Sequence, residues 1–531
     1  MTSMFSWLRT SVRTPLVAAS CLMLTLSGSL PLTLTAADPA ASLTAIAAIA
    51  QADDEAGFKS LFNGKDLTGW DGEAKFWSVK DGAILGKTTA ENPTSGNTFL
   101  IWKDGTVDDF ELRLEYRITG HNSGIQYRSK DLGNHVVGGY QADIEIGETY
   151  SGILYEERGR GVLAQRGQKV VVNADGKPEV KEQFADGKAL QSKINKDWNR
   201  YTIIAKGNHL IHKINDTVMS DTTDNDTKRR SMSGILALQL HAGPPMTIEF
   251  KNIRIKRTKL TAGVKKIVMV AGTPSHGKGD HEFNAGTWLF KKVLDQQPTV
   301  LAVPYYNGWP KDPSAFDNAD AIVFYADGGN GHPAIQGDRL ALINKLAQDG
   351  VGIACLHYGV EVPKDRGGPE FLDWIGGYFE AWWSVNPHWT AKFEKFPDHP
   401  IARGVKPFEI NDEWYYHMRF RPEMKGVTPI LTAVPPANTL DRPDGPHSGN
   451  PDVRKTLGQP QHVGWAAERA GGGRGFGFTG GHFHKNWSND NFRKVVLNAL
   501  LWVAHAEVPE NGVESKLEEK DLATNLDPKG K

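Results

Sequence analysis

At about Val264 the chain changes its hydrophobic period, and that break limits the protein to two domains of different kinds. From Phe58 to about Lys259, short runs alternate apolar and polar residues and stop at turns such as Lys80-Asp81-Gly82 and Asn173-Ala174-Asp175-Gly176. A period of two puts one side of each strand into a core and the other toward water. Many such strands in series predict a β-sandwich or jelly roll. After Val264 the runs are continuously apolar, at 267–271, 321–325 and 351–356. Strands of that kind are buried on both faces, and helical stretches such as 338–348 separate them. This predicts a doubly wound α/β domain that ends in a helix over 489–504.

The flanks read differently. Residues 1–37 have the form of a secretion signal, with Arg9 and Arg13 ahead of an apolar stretch from Pro15 to Leu34. Small residues at Thr35-Ala36-Ala37 or Ala48-Ile49-Ala50 offer cleavage sites. Export to the periplasm or beyond follows, with no membrane span once the signal is removed. Residues 38–54 read as a linker and 508–531 as a charged, extended tail. The domains therefore fall at 55–259 and 264–507. Of the two cysteines, Cys21 lies in the signal and Cys355 in an apolar run, so the mature chain is expected to have no disulfide and Cys355 a buried structural role. A net charge of −1 leaves no basic excess to hold phosphates, which argues against a nucleic-acid partner.

Strand parity in the first domain gathers polar groups. Glu111, Arg113, Glu115 and Arg117 share one face of their run. Gln126 pairs in parity with Arg128, Gln141 with Asp143 and Glu145, and Gln239 with His241. Carboxylates, amides, an Arg and a His are groups that grip hydroxyls and move protons, although an ordinary wet sheet face could carry them too.

The run Leu61-Phe62-Asn63-Gly64-Lys65-Asp66-Leu67-Thr68-Gly69-Trp70 resembles the opening of the 3-keto-disaccharide hydrolase domain family, a concanavalin-like jelly roll. Asn122-Ser123-Gly124-Ile125-Gln126-Tyr127-Arg128, Gly139-Tyr140-Gln141-Ala142-Asp143-Ile144 and the segments 234–241 and 250–254 continue the resemblance in order. It implies an oxidised, 3-keto glycoside or oligosaccharide as substrate. A ketone at C3 acidifies the C2 hydrogen. A base can remove that proton, the C1 oxygen leaves, and water adds back. This route needs a base, an enolate holder and an acid, unlike the paired carboxylates of ordinary glycosidases. Glu115, Asp143 or Glu145 is the expected base, Arg128 the enolate holder and His241 the acid. A divalent metal could take the place of Arg128. Asn122, Gln126, Gln141 and Gln239 are expected to contact substrate. The competing reading makes this domain a carbohydrate-binding module.

In open α/β sheets, ligands sit outside the carboxyl ends of the strands. Three apolar runs lead there into His276, His281 and Glu282, into His357 and Glu361, and into Gly480-Gly481-His482. A polar cluster at 411–416 adds Asp412 and Glu413. These segments resemble the ThuA-like (trehalose utilisation) family, which shares a flavodoxin-like, class I glutamine amidotransferase-like fold. An amidotransferase places a nucleophilic Cys after its central strand. Here His357 stands at that elbow, so glutaminase chemistry is not expected. His276, His281, Glu282 and His357 could bind a metal, act as acid and base and bind sugar hydroxyls, or serve a purely structural role, while Glu361, Asp412, Glu413 and His482 are expected to contact a sugar. Gly471-Gly472-Gly473-Arg474-Gly475 lacks the Lys-Ser/Thr of a phosphate loop.

Overall fold

The computed structural model describes residues 55–529; the expected signal at 1–37, the linker at 38–54 and Cys21 lie outside the described residues. The first part is a sandwich of a ten-stranded and a seven-stranded sheet. The smaller sheet runs, in spatial order, Gly161–Ala164, Leu154–Glu157, Val137–Glu145, Asn122–Asp131, Ile235–Leu240, Thr98–Trp102 and Trp70–Asp71. Every neighbouring pair in it is antiparallel. Ile125, Tyr127, Tyr140, Ala142 and Leu238 turn inward against Leu112, Leu114, Tyr201 and Ile255 of the larger sheet. Alternation therefore sends Gln126, Gln141, Asp143 and Gln239 to the outer face of the smaller sheet.

The second part has a seven-stranded sheet in the order Val300–Tyr305, Lys265–Ala271, Ala321–Tyr325, Gly352–Leu356, Arg474–Phe478, Gln461–Glu468 and Val427–Ala433. The first five strands are parallel, and the last two join antiparallel at one edge. Ile267, Met269 and Ala271 pack against helices Phe283–Leu294 and Asp490–Val503. Val268 and Val270 face the opposite layer, with Arg339–Gln348 and Gly368–Trp374. Helices thus cover both faces. Cys355 lies on the second side, fully buried, and burial pushes its thiol well above the usual range.

Buried charges weld the two parts together. Asp108 of the sandwich meets Lys266 at 3.1 Å and Arg257 at 2.9 Å, and Arg257 continues to Asp312 at 2.9 Å. Tyr305 donates to Asp312, so each buried charge has a partner.

The end of the chain departs from expectation. Residues 508–529 are not an extended charged tail. Val508 and Val513 are buried, and a short helix forms at Glu519–Leu522. Asp527 and Lys529 then bind the loop that follows the first parallel strand. The apolar residues spaced among the charges supply the burial that holds it down. No helix among the described residues is long and apolar enough to cross a membrane.

Candidate functional site

Four adjacent parallel strands deliver their following loops to one edge of the α/β sheet. His281 follows Lys265–Ala271, Asp327 follows Ala321–Tyr325, His357 follows Gly352–Leu356 and His482 follows Arg474–Phe478. Glu413 reaches the same point from the end of Phe408–Glu413, a strand of a separate two-stranded sheet. His276, His281 and His357 all hold positive φ, at 59°, 47° and 54°. Such backbone is costly for a residue with a Cβ and persists where surrounding contacts enforce it.

The side-chain atoms converge. His281 Nε2 lies 3.0 Å from His357 Nε2 and 3.0 Å from His482 Nδ1. Glu413 Oε2 is 3.3 Å from His482 Nδ1 and 3.6 Å from His357 Nε2. The four ligand-type atoms lie within 4.8 Å of one another. The remaining nitrogens of two of the rings are anchored. His357 Nδ1 meets the carbonyl of Thr479 at 2.9 Å, and His281 Nδ1 meets Asp327 Oδ1 at 2.9 Å. A carbonyl only accepts, so the His357 proton sits on Nδ1 and its Nε2 presents a lone pair. The Asp327 carboxylate fixes His281 in the same way. Two lone pairs then face each other at 3.0 Å, a repulsive contact unless a cation lies between them.

This donor set fits a metal. Two ligands at right angles on one ion, each about 2.1 Å from it, stand roughly 3 Å apart. Second ring nitrogens tied to a carboxylate and a carbonyl are the usual surroundings of ligating histidine. Burial pushes His357 well below its ordinary value and His281 down to about 2, so both rings are neutral and able to ligate. Burial also disfavours charge on His482, but Glu413 outweighs it and raises that ring. The Tyr415 hydroxyl completes the wall, 3.4 Å from His357 Nε2 and 3.3 Å from Glu413 Oε2. His276 stacks on His281 at 3.6 Å. Glu361 accepts from His447 Nε2 at 2.9 Å, and burial and the charge of Glu361 hold Tyr358 up, at about 12.

Two expected contacts of this pocket are structural instead. Glu282 turns away from the histidines, accepting from the backbone of Gly279 and Asp527 and facing Lys529. It starts the helix Phe283–Leu294, which rotates its side chain toward the chain end. Asp412 is fully buried and accepts from the backbone of Gly481 and His482 and from Asn486 Nδ2. It holds the His482 loop, spending its oxygens on backbone and Asn486.

On the outer face of the smaller sandwich sheet a chain of polar groups runs from strand to strand. Ser129 Oγ donates to Gln126 Oε1, Gln126 Nε2 to Gln141 Oε1, and Gln141 Nε2 to Asp143 Oδ1 at 2.7 Å. Gln239 Nε2 joins at Gln141 Oε1, while Gln239 Oε1 is buried without a hydrogen-bond partner. Gly124 permits the chain, since a Cβ there would stand 2.6 Å from Gln141 Cδ. Burial pushes Asp143 up to about 8, against the bond from Gln141 and with help from Glu157 and Glu145. Half-buried Asn122, Tyr155 and Glu157 stand around these residues. His241 Nδ1 meets the carbonyl of Ala242 at 2.6 Å, and its ring packs on His121.

Two expected catalytic residues, Glu115 and Arg128, do not belong to this face. Glu115 lies on the larger sheet, bonded to Asn252 and 3.4 Å from Lys251. Arg128 is fully buried on Asp109 at 2.7 Å and on the carbonyls of Asp108 and Gly207. The cause is a register shift between Tyr127 and Lys130, with φ at 49° for Arg128, which breaks the alternation. Glu145 stays at the parity of Asp143, whose pKa its charge helps to raise, while its Oε1 also accepts from the backbone of Thr149 and Tyr150 and closes a turn. Sequence reasoning overlooked Glu157 and Asp327. Glu157 has the parity of Tyr155, which pairs with Gln141, and Asp327 follows an apolar run just as the histidines do.

Residues 57–256 match the family model of the 3-keto-alpha-glucoside-1,2-lyase-like domain, and residues 268–503 match that of trehalose utilisation. A comparison with curated proteins finds no match. Among solved structures, one named as a glycosyl hydrolase from Parabacteroides distasonis is 17% identical over 38% of this chain and 99% of its own, with a TM-score of 0.26. A carbohydrate binding module from Bacillus subtilis is 15% identical over 36% of this chain and 98% of its own, at a TM-score of 0.25. A ThuA-like protein from Parabacteroides merdae is 15% identical over 48% of this chain and 94% of its own, at 0.33.

Proposed function

We propose that this union of a 3-keto-glucoside-lyase-like jelly roll and a trehalose-utilisation-like α/β domain is a carbohydrate-active enzyme that processes oxidised sugars outside the cytoplasm. The observation that carries the reading is the convergence of His281, His357, His482 and Glu413 into one cluster able to hold a metal ion. A divalent ion held there supplies Lewis acidity for a sugar carbonyl or a bound water. Around it, the Glu361–His447 pair can move a proton, the Tyr415 hydroxyl can donate to a substrate oxygen, and Asp327 fixes the His281 ring.

The jelly roll cleaves the glycosidic bond of a 3-keto glycoside in this reading. Half-exposed Glu157 takes the C2 proton. The C1–O bond breaks, and the departing alcohol oxygen takes a proton from Asp143, whose raised pKa keeps it protonated near neutrality. Water then adds at C1 and gives a proton back to Asp143, while Glu157 returns its proton to C2. Export rests on the signal-like residues 1–37.

One observation favours a second reading of the jelly roll. Its face is built mainly of amides, which suits a binding module that delivers sugar to the metal centre. Turnover of 3-keto-trehalose separates the two. The enzyme reading expects Asp143→Asn to lower the release of glucose by about 10²–10⁴-fold, the usual weight of one general acid. Unchanged release in Asp143→Asn, with loss of release in His357→Ala, assigns the jelly roll to binding. No release from the zinc-, manganese- or cobalt-loaded wild type overturns the proposal for this substrate.

A further inference from the structure

Glu413 forms one wall of a cavity of about 400 Å³ whose other walls include Asn386, His388, Asn438 and Arg442. That volume lies within the roughly 300–1,000 Å³ of small-molecule sites. The two carboxylate oxygens of Glu413 serve different sides. Oε2 faces His357 and His482, while Oε1 accepts from Asn386 Nδ2 at 3.1 Å.

Arg442 has no assigned task. It is half-buried, and its side chain makes one hydrogen bond among the described residues, a long one of 3.4 Å to Asn386 Oδ1. No carboxylate lies within ion-pair distance of it among the described residues. Glu413 does not serve, since its Oε2 faces His357 and His482 and its Oε1 faces Asn386 and His388. A guanidinium that has given up part of its hydration without gaining an anion is poised to take one. Its planar fork matches a carboxylate with two parallel hydrogen bonds. The wall holds no lysine and no second arginine, which suits a single negative charge better than a phosphate. Asn386 and Asn438 add amide donors and acceptors of the kind that bind hydroxyls.

We propose that this cavity binds a sugar acid, an aldonate or uronate, with its carboxylate on Arg442 and its hydroxyls on Asn386 and Asn438, beside the metal centre. The inference rests on the metal-centre reading above and adds an anionic substrate class to it. Calorimetric titration of the full chain with gluconate, glucose and glucose 6-phosphate tests it, in cobalt-loaded and chelator-treated protein. Gluconate is expected to bind at least tenfold more tightly than glucose. Arg442→Gln is expected to weaken gluconate about 10–100-fold while leaving cobalt uptake and thermal unfolding unchanged, since Arg442 contacts no ligating side chain except through Asn386. Equal affinity for gluconate and glucose, or an unchanged affinity in Arg442→Gln, overturns the sugar-acid site even where cobalt binds. Tighter binding of glucose 6-phosphate than of gluconate overturns the carboxylate assignment. Failure to take up cobalt contradicts the metal centre instead, and gluconate heat that vanishes in Arg442→Gln then still supports the anion site.

Discussion

His281 and His357 meet Nε2 to Nε2 at 3.0 Å across 76 positions of sequence, each with its other ring nitrogen facing an acceptor. Asp327 is the acceptor that fixes His281, and it contacts no other member of the cluster than His281 and His276. Asp327→Asn is expected to lower metal affinity about 10–100-fold, the usual effect of losing a group that orients a ligating histidine. Competition with a chromogenic chelator measures it. An affinity equal to wild type would show that the ring needs no such anchor.

Arg128 is expected to matter for stability and not for chemistry. Its guanidinium and Asp109 are 0% and 4% exposed, and three backbone carbonyls complete its shell. Arg128→Met leaves Asp109 buried and unpaired, which costs about 3–5 kcal/mol. Urea unfolding reads this directly. A variant with wild-type stability and lost turnover would restore Arg128 as an enolate holder.

Asp143 gives the jelly roll a pH dependence of defined sign. In the folded chain its carboxyl stays protonated to about pH 8, whereas the ordinary value is 3.8. Between those values the native state holds a proton that the unfolded chain releases. Stability contributed by this group is therefore complete below pH 4, falls as the pH rises by at most about 1.4 kcal/mol per unit, and levels off above 8. Asp143→Asn removes that slope. Denaturation series at pH 5, 6, 7 and 8 on both proteins check it, and identical slopes would contradict the raised pKa.

Much of this was legible in the chain because it follows from period. Alternation put Gln126, Gln141, Asp143 and Gln239 on one face, and apolar runs placed His276, His281, His357 and His482 at one sheet edge. What escaped is whatever breaks a period. One extra residue at the bulge near Arg128 turns that side chain into the sandwich, and nothing in the sequence marks it. Glu115 obeys its parity but lies on the other sheet, a matter of strand order that alternation leaves open. Glu282 and Asp412 sit next to His281 and Glu413 in sequence and spend their oxygens on backbone N–H groups, which spacing cannot reveal. The tail's docking depends on a few apolar residues diluted among charges.

Cys355 is expected to be inert. It is fully buried on the side of the sheet opposite helices Phe283–Leu294 and Asp490–Val503, and burial raises its thiol. Cys355→Ser should retain activity, and a thiol reagent should label wild type only after unfolding. Rapid labelling of the native protein with loss of activity would point back to an amidotransferase-style nucleophile.

The central claim is that His281, His357, His482 and Glu413 hold one metal ion. Anomalous diffraction from crystals of the cobalt-loaded protein, collected at the cobalt edge, tests it most directly. The account predicts one strong peak between His281 Nε2, His357 Nε2, His482 Nδ1 and Glu413 Oε2, and its loss in His357→Ala. Density empty at that point in fully loaded wild type, or a peak that survives in His357→Ala, would contradict it.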